Sequence, residues 1–407
     1  MIAFANQPDH KMKIHLIAFM LTLADFASAD QWMQKTDFIG TRSRGVAFAI
    51  NQKGYVGTGL SYLGLFKDFW CYDPVNDTWT QVADLPGAER MDAFGFELGG
   101  KGYVGCGNED AAYERDFWEF NPITNSWIQK ADFPDVRFSA VSFSIGSYGY
   151  AGTGISGWGA LRNDFWEYNP TSDAWTRKAD FIGSGRWHAV GFSINGKGYI
   201  GTGTDTSSNN VQDFYEYDPL NDSWVSKADY SGGPLTRATG FVIGNLGYVG
   251  LGFGNTTLNR EVWQFNQVLN TWTQKSDFSG SWRSSTMTFT MNNRAYVCAG
   301  DSVVYGAGTI QGRTLWEYTP DSLDAINELT FSEAGLEIFP NPVHEYITIH
   351  SKHPVILSIY TEEGKVLIKN MMCENSLRLD AQNWAAGIYY LKVEMNNRSL
   401  VHSLVKE

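Results

Sequence analysis

The chain has 407 residues, with 44 acidic against 31 basic side chains and a formal net charge of −13 at pH 7. No basic patch stands out against that acidity, which argues against nucleic acid as a partner. The four cysteines (Cys71, Cys106, Cys298, Cys373) do not form a spacing pattern of the kind that staples small secreted domains, so no disulfide framework is expected.

The chain opens on a segment that is not expected to be part of the fold. Residues 11–29, KMKIHLIAFMLTLADFASA, have a Lys-flanked start, a short apolar run and an A-S-A end. This pattern predicts a secretory signal peptide over 1–29, cleaved after Ala29. The residues before Met12 fit no signal pattern, so Met12 is a candidate start. The apolar run is too short to cross a bilayer. No other segment is apolar enough for a membrane helix, so no transmembrane segment is expected once the signal is removed.

From Asp30 a repeat takes over. DQWMQKTDFIG at 30–40 returns as DTWTQVADLPG, NSWIQKADFPD, DAWTRKADFIG, DSWVSKADYSG and NTWTQKSDFSG, with tryptophans at 32, 79, 127, 175, 224 and 272. A GYVGTG-like marker carries Tyr55, Tyr103, Tyr150, Tyr199, Tyr248 and Tyr296. A DFWEY-like marker carries Trp70, Trp118, Trp166, Tyr215, Trp263 and Trp316. Three markers on one period define a repeat array.

Each unit reads as four strands. GVAFAI alternates large and small residues with period two, KGYVGTG ends on glycines, DFWCYDP closes in a DPVND-type turn, and TWTQVAD follows. The first copy of the TWTQVAD strand has no unit before it. The last unit, ending in RTLWEYTP, has none after it. Residues 31–36 are therefore expected to supply the fourth strand of the sixth unit, antiparallel to 313–318, which would protect the sheet edges.

Four strands in about 50 residues is the kelch period, and residues 30–320 resemble kelch repeats of the kind found in the central domain of galactose oxidase. The resemblance implies an all-β, six-bladed kelch propeller closed by the N-terminal strand. One departure is that the family's glycine pair is written GTG or GCG here.

After Pro320 the composition changes. Residues 321–335, DSLDAINELTFSEAG, read as an acidic linker, and 336–407 as a small β-sandwich of short alternating strands. That last segment resembles the type A C-terminal sorting domain of the type IX secretion system of Bacteroidetes. The match is carried by Pro340, Asn341 and Pro342, Gly364 and Lys365, Gly387, Ile388 and Tyr389, and the basic end at Lys406. The resemblance implies that residues 336–407 engage the type IX machinery and that the protein is secreted or held at the outer cell surface.

Chemistry is sparse. His188 is the single histidine between 30 and 320, so the copper site of galactose oxidase cannot be built, and no metal, cofactor or catalytic triad is expected. Cys71, Cys106 and Cys298 occupy repeat slots and read as small core residues. Arg42, Arg90, Arg137, Arg186 and Arg283 precede the innermost strands, with Arg237 two residues out of step. They either tie blades to Asp37, Asp84, Asp132, Asp180, Asp229 and Asp277 or face the channel, where a guanidinium suits a carboxylate.

The loops between the second and third strands differ most between units and carry Tyr62, Phe66, Tyr113, Trp158, Phe253 and Tyr305. Strand direction puts these loops on the arginine face and the uniform turns on the other. Variable loops on a repeated scaffold are how binding faces are built. The candidate ligand residues are Arg42, Arg90, Arg137, Arg186, Arg283, Trp158, Trp187, His188 and Tyr305. The expected role is a binding module for glycan or protein rather than an enzyme. By analogy with six-bladed kelch proteins that isomerise sialic acid, the alternative is a sugar isomerase or lyase acting on an acidic sugar in the channel.

Overall fold

The computed structural model describes residues 30–406, except 111, 158, 256, 305–307, 322–334, 362–364 and 396–397. The expected signal peptide and most of the expected linker lie outside the described residues. Among the described residues up to 321 there are six four-stranded antiparallel sheets. Their innermost strands are Val46–Ile50, Phe94–Leu98, Val141–Ile145, Val190–Ile194, Thr239–Ile243 and Met287–Met291. These strands neighbour one another in that order, and the sixth neighbours the first.

The repeat motifs have direct packing causes. In each innermost strand the large residues, such as Val46, Phe48 and Ile50, are buried and the small ones between them are half-exposed. The small residues Ala47, Gly95, Ser142, Gly240 and Thr288 line a narrow cavity of about 180 Å³. The glycine of KGYVG makes room for a ring from the preceding unit. A methyl group on Gly54, Gly102, Gly149, Gly198 or Gly247 would overlap Phe289, Phe48, Phe96, Phe143 or Phe192 respectively. In the sixth unit Ala295 takes the glycine's place and clusters with Phe241.

The tryptophan strand ties each unit to the one before it. Nε1 of Trp79, Trp127, Trp175, Trp224 and Trp272 donates to the carbonyls of Thr36, Ala83, Ala131, Ala179 and Ala228. The backbone N–H of each of those residues donates in turn to Asp77, Asn125, Asp173, Asp222 or Asn270, two residues before the tryptophan. Strand Gln31–Lys35 joins this scheme. It pairs antiparallel with Leu315–Thr319, with Gln34 opposite Trp316. Trp32 donates to the Ser276 carbonyl over 3.3 Å, and Asp30 accepts from the Ser276 N–H.

Residues 336–406 form a three-stranded sheet (Leu336–Phe339, Tyr346–Ser351, Ser376–Asp380) and a four-stranded sheet (Val366–Cys373, Val355–Thr361, Gly387–Met395, Arg398–Lys406). Ile347 and Ile349 from the first sheet and Leu357, Ile359, Leu391 and Val393 from the second share one core. The Asn341 side chain accepts from the Val405 N–H and donates to the Ser403 carbonyl, which fastens the FPNP segment to the last strand.

Candidate functional site

The arginines before the innermost strands are structural ties. Arg42, Arg90, Arg137 and Arg186 are almost fully buried, and each grips a carboxylate with two nitrogens: Asp68, Asp116, Asp164 and Asp213. In the Arg137–Asp164 pair the two contacts are 2.6 and 2.9 Å. Nη1 also donates to the carbonyl that ends the second strand: Thr58, Cys106, Thr153 or Thr202. Arg283 bonds Ala299 and Thr314 in the same way, without an acid. The partner is therefore the aspartate that opens DFW, not the one that ends the fourth strand. Antiparallel folding brings the start of the third strand beside the link into the first, 26 or 27 residues earlier. Burial raises the pKa of Asp164, but the bond and charge of Arg137, with the Trp166 N–H, outweigh it and leave the group below the ordinary carboxylate value.

In the fifth unit this slot is filled by Leu235, which is buried. Arg237 is thus not a displaced copy of the tie but occupies a different position. That position, two residues after the tie, holds Arg44, Asp92, Ser139, His188, Arg237 and Ser285 in the six units. All six have φ between 52° and 56°, the left-handed region that non-glycine residues seldom adopt. Their backbones form one cycle: Arg44 N–H donates to Ser285, Asp92 to Arg44, Ser139 to Asp92, His188 to Ser139, Arg237 to His188 and Ser285 to Arg237, over 2.8–3.3 Å. A second cycle runs outside it, from Gly59 to Arg90, Gly107 to Arg137, Gly154 to Arg186, Gly203 to Leu235, Gly252 to Arg283 and Gly300 to Arg42. The end of the second strand repeats the same conformation at Thr58, Cys106, Thr153, Thr202, Leu251 and Ala299, so the left-handed turn belongs to the repeat.

The side chains of the inner cycle form a charged cluster. Arg44 Nη1 lies 3.6 Å from Asp92 Oδ2. His188 Nε2 lies 3.7 Å from Asp92 Oδ1, across the small Ser139, and Arg237 Nε donates to His188 Nδ1 over 3.4 Å. The ring of His188 stacks on Trp187 with centroids 4.2 Å apart. Burial pushes the His188 pKa down, against the pull of Asp92, and Arg237 and Arg44 add to the downward shift. Burial pushes Asp92 up, but His188, Arg44 and Arg237 bring it below its ordinary value. Nε2 of His188 and the hydroxyls of Ser139 and Ser285 are buried without a hydrogen-bond partner among the described residues.

A cavity of about 350 Å³ opens above this cluster, between the fourth, fifth and sixth units. Trp187, His188, Arg237, Phe253, Ser284 and Asp301 are among its walls. The walls pair the link into the first strand with the segment after the second: Trp187 with Thr204, Thr236 with Phe253, Ser284 with Asp301. Of the candidate ligand residues, the structure brings Trp187 and His188 to this cavity. It buries the five arginines against acids or, for Arg283, a threonine. Trp158 and Tyr305 lie outside the described residues. Arg44, Asp92, Arg237, Phe253 and Asp301 are not on the ligand list drawn from sequence. Aligning the units exposes Arg44, Asp92 and Arg237: R-S-R, R-M-D, R-F-S, R-W-H, L-T-R and R-S-S vary at the second and third places, while the first is arginine in all but one.

Among the described residues no group of His, Cys, Asp and Glu could hold a metal ion. Burial pushes the thiols of Cys106 and Cys298 well above the ordinary cysteine value, as suits core residues without reactivity.

Two family models match the chain: a Kelch motif over residues 54–86 and a Secretion system C-terminal sorting domain over 337–407. The fold is similar to a solved structure described as "Structure of YjhT", with a TM-score of 0.58 and 15% identity, covering 69% of this chain and 96% of that one. At that identity the likeness concerns fold alone. No curated protein matches. The chain is all-β, with a Kelch motif over residues 54–86, a propeller-like fold and a C-terminal sorting domain that indicates export through the type IX system to the cell surface or the medium.

Proposed function

We propose that residues 30–320 are a closed, six-bladed propeller whose loop face binds a ligand outside the cell, and that this ligand is a glycan. Residues 1–29 act as the signal peptide, 321–335 as a linker and 336–407 as the sorting domain that engages the secretion machinery. The observation that carries the binding reading is the pocket over the inner cycle. It combines the aromatic walls Trp187 and Phe253 with the buried polar groups of His188, Ser284 and Asp301. Its volume falls within the range of about 300–1,000 Å³ usual for small-molecule sites. A protein ligand on the same face is the other form of this reading. A glycan array probed with the exported chain tests it: binding that Trp187→Ala removes supports the glycan reading, and binding that survives in that variant contradicts it.

One observation favours the isomerase or lyase alternative. His188 and Asp92 form an imidazole–carboxylate pair under the pocket, and Nε2 lacks a hydrogen-bond partner. Such a pair can move a proton at a bound sugar. Turnover of a bound sugar that Asp92→Asn abolishes would decide for it.

A further inference from the structure

We infer that the pocket takes a neutral sugar ring and discriminates against an acidic one. This rests on the glycan reading above and specifies the class of sugar. The first ground is the charge balance. Arg237 and Asp301 face the pocket, with Arg44 and Asp92 close to Arg237 beneath it. Nδ1 of His188 accepts from Arg237, which disfavours a second proton on the ring. Two cations are matched by two carboxylates. The other arginines of this face are bound to their own partners. A ligand carboxylate would therefore lose water to meet an Arg237 charge that Asp92 and Asp301 already offset, and it would sit beside Asp301. Burying a charge on those terms is unfavourable.

The second ground is the placing of donors and acceptors. Arg237 uses Nε on His188, and its terminal nitrogens make no hydrogen bond among the described residues. Asp301 accepts from the Gln311 amide at 3.3 Å, which leaves acceptor capacity on its carboxylate. A sugar hydroxyl donates and accepts at once, so neighbouring hydroxyls can accept from Arg237 and donate to Asp301. Thr204 and Thr236, whose hydroxyls bond each other at 2.9 Å, add a polar edge. The third ground is the apolar surface. Trp187, Phe253 and Leu258 face the same space and suit the C–H face of a pyranose.

The test measures the exported chain by calorimetry at pH 7.5 against methyl glucoside, galactoside and mannoside and the matching uronides. At least one neutral sugar is expected to bind tenfold or more tightly than its uronide. Asp301→Asn is expected to weaken that sugar tenfold and to narrow the gap to the uronide. A uronide that binds as well as or better than its neutral counterpart overturns this inference and leaves the glycan reading standing. Binding of no sugar at all overturns both. Should Asp301→Asn fail to fold, the paired sugars on the unmodified chain decide alone.

Discussion

Arg237 donates its Nε–H to Nδ1 of His188, which places the imidazole proton on Nε2, toward Asp92. A second proton on this ring would break that bond and set two cations against each other in a buried place. The folded-state pKa of His188 is accordingly lowered by burial and by Arg237 and Arg44. The unfolded chain binds the proton more readily, so stability is lost as pH falls below about 6.5, the ordinary histidine value. Asp92, lowered in the folded state, acts in a separate window below about pH 4. His402, also lowered by burial, acts in the same range as His188 but in the C-terminal sheets. The melting temperature should therefore fall between pH 7 and pH 5, and His188→Gln should flatten that fall more than His402→Gln. Equal profiles for the unmodified chain and His188→Gln would contradict the assignment.

Replacing Arg137 with Met should unfold the protein more easily without changing ligand affinity. The change leaves the part-buried Asp164 without its partner; breaking a fully buried pair costs about 3–5 kcal/mol, so a loss of about 2–3 kcal/mol is expected. Arg137→Met combined with Asp164→Leu should recover part of the loss. Denaturant melts on the two variants check this. An affinity loss with unchanged stability would return the arginine to the ligand site.

Trp187→Ala should weaken ligand binding at least tenfold, about 1.4 kcal/mol. The same change should make the His188 pKa less depressed, since the indole covers the imidazole. Titration of His188 by NMR alongside the binding measurement separates the two effects. An unchanged affinity would remove Trp187 from the site.

Trp32 joins the first described strand to the fifth and sixth units. It meets Phe278 edge-on at 4.9 Å and Tyr318 at 4.8 Å, and donates to Ser276. Trp32→Ala removes a half-buried indole and should cost about 1.5–3 kcal/mol. A loss under 1 kcal/mol, about what an exposed site gives, would mean that the strand is not needed to complete the ring.

Deleting residues 336–407 should leave the propeller folded but retained in the periplasm, because the sorting domain has its own core. Cell fractionation with a melt of the truncated chain checks both halves. Normal surface delivery would contradict the role given to the tail.

The fold was largely legible because its packing repeats. The tryptophan, the glycine under the phenylalanine and the Asp or Asn of the turn each have one job performed in nearly every unit, so selection for packing writes them at a fixed period. The arginine ties were visible as a series, but their partner was not. Sequence proximity pointed to the aspartate ending the preceding strand, whereas the fold delivers the aspartate that opens the third strand. Arg237 looked like a displaced tie because nothing in the chain marks Leu235 as the occupant of that slot. The inner cycle was least legible. Its backbones do the same thing in every unit, but its side chains meet different neighbours, so Arg44, Asp92, Ser139, His188, Arg237 and Ser285 share no single residue type to align.

The crystal structure of the exported chain with its best-binding glycan tests the central claim most directly. The sugar ring should lie against Trp187 and Phe253, with hydroxyls on Arg237 and Asp301. A sugar bound on the opposite face, beside the exposed turn residues Val75, Ile123 or Leu220, with the pocket empty, would contradict it.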